Sequence, residues 1–142
     1  MRVYIALAAA ALFFAPAADA RVTLFHNSFS TAYRSPGGAV ATGTPVTLRL
    51  RVTGARPKAV AVRLETTRVS LLRMRRAGSV WSAIYRAPAA PTIVNYAFRV
   101  TIGRRTLESG ELEVQIRRGR EARSLSLEGA GEAVAGLWRE IP

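Results

Sequence analysis

The chain has 142 residues, 21 basic side chains against 9 acidic ones, and a formal net charge of +12 at pH 7. It contains no cysteine, so disulfides and thiolate zinc sites are excluded. His26 is the only histidine, so a metal site built from several histidines is excluded as well.

Residues 1–20 have the pattern of a secretory signal peptide. Arg2 is followed by an apolar run from Val3 to Ala15 and then by the small-x-small sequence Ala18-Asp19-Ala20. The apolar run is shorter than the roughly 20 residues that a membrane-spanning helix needs. We therefore predict cleavage before Arg21 and export to the periplasm or the medium, with an uncleaved membrane anchor as the alternative.

Short alternations of apolar and polar residues, separated by turn residues, occupy residues 21–117. The clearest is "PVTLRLRV", whose apolar positions are Val46, Leu48, Leu50 and Val52. Similar segments are "RVTLFH", "AVAVRLE", "RVSLLRMRR", "SVWSAIYR", "VNYAFRVTI" and "ELEVQI". Their number and spacing predict an all-β fold: an immunoglobulin- or fibronectin-like antiparallel β-sandwich of seven or eight strands.

Two connections in this region have a predictable form. Ala77-Gly78 separates two of the segments and predicts a β-hairpin. The proline-bounded "APAAP" predicts a crossing from one sheet to the other. Tyr96 follows that crossing, resembles a tyrosine-corner position, and is predicted with Phe98 to be an inward-facing structural residue.

Residues 118–142 lack the two-residue period and form a predicted tail. Val134, Leu137, Trp138 and Ile141 have the spacing of one helix face. Glycines at positions within such a helix would weaken it by up to about 1 kcal/mol each. The tail is therefore expected to be either disordered or a short amphipathic helix.

The sequence resembles the N-terminal immunoglobulin-like domain of neopullulanase-type α-amylases, which is classed as a starch-binding module. The motifs that carry this resemblance are "HNSFSTAYRSPGGAVATGTPVTLRLRV" and, later, "VWSAIYRAPAAPTIVNYAFRV", between about Val22 and Ile102. The resemblance implies an α-glucan or maltooligosaccharide as ligand. It also implies a glycoside hydrolase catalytic domain, or a second copy of the chain, as partner.

No catalytic activity is expected of this chain. In the amylase family the chemistry belongs to a (β/α)₈ barrel, which needs about 250 residues. Glycoside hydrolysis also needs two carboxylates flanking the scissile bond, whereas most of the glutamates here lie in the last third of the chain. We predict a non-catalytic accessory domain without cofactor or metal.

Four residues are candidates for carbohydrate binding. Tyr33 offers an aromatic face for a sugar ring, and Arg34 offers hydrogen-bond donors for its hydroxyls. Trp81 and Tyr85 lie four residues apart on one strand face, about 13 Å, which spans two to three sugar units if that face points outward. If it points inward instead, Trp81 is the core tryptophan expected of such a sandwich.

Two further residues in the opening motif have predicted structural roles. His26 is expected to end the first strand and to hydrogen-bond the loop that follows, because no aspartate follows it to orient a catalytic ring and no Gly-x-Ser-x-Gly motif is present. Gly38 completes Pro36-Gly37-Gly38, a turn that requires positive φ.

Two alternative functions remain open at this point. The first is a truncated fragment of an α-amylase or pullulanase that lacks its barrel, and the second is a basic envelope module that binds anionic polymers through its charge. Because the arginines occupy alternate strand positions, the sequence favours solvated sheet faces over a specific nucleic-acid groove.

Overall fold

The computed structural model describes residues 22–120 and 138–142. These residues form two sheets, which confirms the predicted all-β sandwich. Sheet A consists of β1 (Thr23–Phe25), β2 (Arg34–Ser35), β4 (Pro45–Thr53), β7 (Arg75–Ala77) and β8 (Val80–Arg86). Sheet B consists of β3 (Val40–Ala41), β5 (Ala59–Glu65), β6 (Val69–Arg73), β9 (Thr92–Ile102), β10 (Arg105–Glu108), β11 (Leu112–Arg117) and β12 (Arg139–Ile141).

Each sheet is organised around one long central strand. In sheet A, β4 pairs with β8 on one side and with both β1 and β2 on the other, and β7 lies beyond β8. In sheet B, β9 pairs with β5 on one side and with β10 and β11 on the other. At the edges of sheet B, β6 pairs with β5, β12 pairs with β10 and β3 pairs with β11. The pairing of β3 with β11 is parallel, and the other pairings among the described residues are antiparallel.

The core lies between the two central strands and is apolar because alternate positions of both strands carry apolar side chains. Leu48 and Leu50 of β4 are fully buried, as are Phe98 and Val100 of β9. Each large aliphatic or aromatic side chain removed from water in this way contributes about 1.5–3 kcal/mol to folding. The sandwich therefore obtains its stability from packing, as a chain without cysteine must.

One predicted strand divides between the two sheets. The segment from Arg68 to Arg76 forms β6, which pairs with β5 in sheet B, and β7, which pairs with β8 in sheet A. Met74 lies between them, is 2% exposed, and donates its N–H to the Val60 carbonyl at 2.8 Å. The predicted hairpin follows β7, where Gly78 has φ 63°, and "APAAP" connects sheet A to sheet B as expected.

The structure adds a strand from the predicted tail. Arg139–Ile141 forms β12, antiparallel to β10, so Ile141 lies in a strand and not in the predicted helix. Trp138 packs against the core just before it. Val134 and Leu137 of that helix, and the signal peptide at residues 1–20, lie outside the described residues. Within the described ranges, no helix has the length and hydropathy that crossing a membrane requires.

Candidate functional site

The segment between β1 and β3 is fixed by local hydrogen bonds. Asn27 Oδ1 accepts the Phe29 N–H at 3.0 Å, an Asx turn, and the Ser30 carbonyl accepts the Tyr33 N–H at 2.9 Å. Gly38 has φ 64°, as the predicted turn requires. The backbone of this segment therefore leads into β2 and β3 as an ordered connection.

The buried side chain of Arg34 holds this connection through hydrogen bonds to its backbone carbonyls. It is 5% exposed, and its guanidinium donates to the Ser28 carbonyl at 2.8 Å and to the Gly38 carbonyl at 2.9 Å. Burial lowers the pKa of Arg34, although the guanidinium stays charged. Arg34 was predicted to reach sugar hydroxyls, but the structure buries it and directs its Nε and one terminal nitrogen to the chain's own carbonyls, not to an exposed surface.

Tyr33 also does not present an open face. It is 9% exposed and packs edge-to-face against Phe25, with ring centroids 4.9 Å apart. The guanidinium carbon of Arg51 lies 5.7 Å from its ring centroid, within cation–π range. Phe25 and Arg51 therefore cover the aromatic face that was predicted to stack on a sugar.

Trp81 and Tyr85 point toward the core. Their predicted sugar binding required them to point outward, so the structure favours the alternative in which Trp81 is a core tryptophan. Their register explains this, because Trp81 pairs with Leu50 and Tyr85 with Val46, both fully buried positions of β4. Paired residues share a face of the sheet. Ile84, expected to be inward in that arrangement, is 63% exposed.

Tyr85 nevertheless has an unusual environment. It is 9% exposed, and its hydroxyl has no hydrogen-bond partner among the described residues. Burial raises the pKa of Tyr85 to about 12, while the positive charge of Arg34 opposes that rise.

His26 joins the two sheets. It is 2% exposed; its Nδ1 lies 2.6 Å from the Arg49 carbonyl, and its Nε2 lies 3.0 Å from the Tyr96 hydroxyl. Its ring also packs 4.7 Å from that of Phe98. Burial lowers the pKa of His26 to about 4; the bond to Arg49 opposes this and the Arg34 charge adds to it. A neutral, enclosed imidazole of this kind is a structural group.

The glutamates of sheet B are largely neutralised by arginines. Glu108 is 3% exposed and lies 2.5 Å from Arg99 Nε, 3.6 Å from Arg63 Nε and 3.5 Å from Arg139. Burial raises the pKa of the Glu108 carboxyl, but the bond from Arg99 and the neighbouring charges outweigh it and lower the pKa overall. A second glutamate in this cluster, Glu111, is paired with Arg63 at 2.8 Å.

Sheet A carries the opposite charge pattern. Its strands contain no acidic residue. The alternation of β4, β7 and β8 places four arginines on its solvent side, together with Val80, Ser82 and Ile84. We call this surface the basic face; its arginines are Arg49, Arg51, Arg75 and Arg86.

The basic face was not predicted from the sequence, although a sequence feature points to it. Between Arg21 and Leu107 the chain contains one acid, Glu65, which lies on β5 of sheet B. That imbalance indicates a surface without carboxylates, but only strand pairing shows that the arginines on β4, β7 and β8 share one side of one sheet.

Two solved structures resemble the fold. An engineered protein of the Northeast Structural Genomics Consortium superposes with a TM-score of 0.51 at 23% identity, over 70% of this chain and 21% of that chain. A bromine derivative of BhCBM56, a carbohydrate-binding module, gives a TM-score of 0.46 at 16% identity, over 63% of this chain and 98% of that one. The first likeness shows the fold alone, and this chain spans about a fifth of that engineered protein.

No family model matches the sequence, and no curated protein matches it significantly. Among the described residues, no three histidine, cysteine, aspartate or glutamate side chains come together as a metal-binding cluster.

Proposed function

We propose that this protein is an exported, non-catalytic carbohydrate-binding domain and that the basic face is its binding surface. The observation that carries the proposal is the composition of that face. It presents four guanidinium groups around the exposed Ile84, with no carboxylate on any strand of the sheet. Guanidinium N–H groups donate to sugar oxygens, and an exposed aliphatic side chain packs against the apolar face of a sugar ring.

The form of the surface supports a polymeric ligand. The basic face extends over β7, β8 and β4, so it is wider than a single sugar ring, with neighbouring strands about 4.8 Å apart. A groove of about 300 Å³ on the other sheet, beside Ile93, Gln115 and Arg117, is the alternative surface.

The buried residues support the non-catalytic part of the proposal. His26 has both ring nitrogens within hydrogen-bonding distance of protein groups, and Glu108 lies among three arginines. Neither group is accessible to a substrate in this arrangement. Export is proposed from the leader-like residues 1–20, and an α-glucan remains the ligand predicted by the resemblance to amylase N-terminal domains.

The test is affinity electrophoresis of the protein in gels containing either soluble starch or polygalacturonate. We expect retardation by at least one polysaccharide and weaker retardation for Arg51→Ala, with affinity about fivefold lower. Arg104→Ala is the matched control, because Arg104 is an exposed arginine in the turn between β9 and β10 of sheet B. Equal mobility with and without both polysaccharides would refute the proposal.

A further inference from the structure

The two sheets divide the charge of the protein unequally. Every glutamate among the described residues lies on a sheet B strand or on the connection between β10 and β11; they are Glu65, Glu108, Glu111, Glu113 and Glu140. All ion pairs of the described ranges likewise involve arginines of sheet B: Arg63, Arg99, Arg105 and Arg139. The arginines of sheet A are left without carboxylate partners there.

The arginines of the basic face keep most of their donors available. Arg49 donates to the Ala32 carbonyl at 3.2 Å, and Arg86 to the Gly43 carbonyl at 2.7 Å. Arg51 lies over Tyr33, and Arg75 forms no side-chain hydrogen bond or ion pair within residues 22–120 and 138–142. A guanidinium carries five N–H donors, so each of these groups retains donors for an external acceptor.

Strand geometry sets the spacing of these charges. Arg49 and Arg51 lie two residues apart on β4, about 7 Å along the strand. Arg75 pairs with Ser82, which pairs with Arg49, so Arg75 and Arg49 lie about 10 Å apart across β8. Arg86 lies about 13 Å from Ser82 along β8. The charges therefore recur in two directions over a sheet surface.

We infer that the basic face selects polysaccharides bearing carboxylate or sulfate groups over neutral ones. This inference rests on the proposed carbohydrate-binding function and assigns it an acidic ligand class in place of the neutral α-glucan that the resemblance predicts. The guanidinium fork matches a planar carboxylate or a sulfate through two parallel N–H···O bonds, and the charges are not cancelled by any acid of the sheet.

The apolar residues of the face favour a polysaccharide over a single-stranded nucleic acid. Nucleic acids of that kind need exposed aromatic rings on which bases stack. The rings beside the face, Phe25 and Tyr33, pack against each other, and Arg51 lies over Tyr33. Phe29, on the segment between β1 and β2, is 52% exposed, but one ring does not provide the series of stacking surfaces that successive bases need. The exposed apolar group among the arginines is instead the aliphatic Ile84, at 63% exposure.

A charge-insertion pair tests this inference. Ile84→Glu places a carboxylate within the basic face, where Ile84 is 63% exposed, while Ile93→Glu places one on an exposed position of sheet B, where Ile93 is 50% exposed. Calorimetric titrations of the protein and both variants would use polygalacturonate, dextran sulfate, soluble starch, oligo(dT) and vesicles containing anionic lipid, each at low and at physiological salt.

We expect both acidic polysaccharides to bind at least tenfold more tightly than starch, with affinity falling as salt screens the charges. Ile84→Glu should weaken that binding about tenfold, and Ile93→Glu by less than twofold. Equal loss in the two variants would overturn the inference, because it would assign binding to net charge and not to the basic face.

The ligand arms separate this inference from the proposed function. Starch binding that equals or exceeds binding of the acidic polysaccharides would overturn the inference and leave the carbohydrate-binding function standing. Binding of oligo(dT) or anionic vesicles without binding of any polysaccharide would overturn both. Equal affinity for oligo(dT) or vesicles and for the acidic polysaccharides would also overturn the inference, since the face would then not favour sugars.

Discussion

Nε2 of His26 lies 3.0 Å from the hydroxyl oxygen of Tyr96, and this contact joins the segment between β1 and β3 to the central strand of sheet B. The Arg49 carbonyl can only accept, so His26 Nδ1 carries the proton and donates to it. Nε2 of the neutral ring is then an acceptor, and the Tyr96 hydroxyl donates to it. The contact satisfies the buried Nε2 of His26, for which no other hydrogen bond is seen among the described residues.

Tyr96→Phe should lower the free energy of unfolding by about 1–3 kcal/mol, because it leaves the buried Nε2 of His26 without a donor. Urea denaturation at pH 7 measures this. Tyr33→Phe is the matched control, since no described contact of Tyr33 uses its hydroxyl, and it should change the value by less than about 0.5 kcal/mol. Equal effects of the two substitutions would contradict the assigned hydrogen bond.

The low pKa of His26 predicts loss of stability in mild acid. The unfolded chain takes up a proton near pH 6.5, but folded His26 does so only at about pH 4. Between these values the unfolded state binds more protons, so stability falls as the pH falls. We expect a loss of about 2 kcal/mol between pH 7 and pH 5.

Urea denaturation across that pH range provides the measurement, with His26→Gln as the reference variant. The variant should be less stable at pH 7, and its stability should be nearly constant from pH 7 to pH 5. The same slope in both proteins would show that another group is responsible. The carboxylate of Glu108 titrates below this window, because its pKa is lowered.

Glu108→Gln should destabilise the sandwich by about 3 kcal/mol, since it removes the carboxylate that lies among Arg63, Arg99 and Arg139. Hydrogen exchange in β12 should also become faster, because Arg139 is the first residue of that strand. Glu113→Gln is the control, as Glu113 is exposed and forms none of the ion pairs of the described ranges. Unchanged exchange in β12 would contradict this role of Glu108.

Arg34→Lys should lower stability without lowering polysaccharide affinity. Lysine lacks the planar fork that donates to the Ser28 and Gly38 carbonyls, and leaving such buried acceptors unpaired costs about 1–3 kcal/mol. Thermal denaturation and affinity electrophoresis at a temperature where the variant is folded measure the two effects. Loss of affinity at full stability would restore Arg34 to the binding surface.

The strands whose larger apolar residues all lie on one face could be predicted from the sequence. β5 has the bounds of "AVAVRLE", and β4 differs from "PVTLRLRV" by one residue, because polar and apolar residues there separate cleanly. β8 is different: Val80 and Ile84 are apolar, but so are Trp81 and Tyr85. Pairing with the core positions of β4 decides which set is buried, and no local pattern contains that information.

The candidate surface was harder to predict for the same reason. Arg49 and Arg75 are far apart in sequence and come together only because β8 lies between their strands. The switch of the chain between sheets at Met74 places Arg75 in sheet A and Arg73 in sheet B, although both belong to one predicted strand. The composition indicated that acidic residues are scarce, but only the strand topology shows that they are missing from the strands of sheet A.

The most direct test of the binding surface is an amide chemical-shift titration of the isotope-labelled protein with short oligogalacturonates. We predict that the shifted resonances belong to β4, β7 and β8, with the largest changes around Ile84, and that those of β5 and β9 stay in place. Shifts confined to sheet B would contradict the assignment of carbohydrate binding to the basic face, and no shifts at saturating ligand would contradict its inferred preference for acidic saccharides.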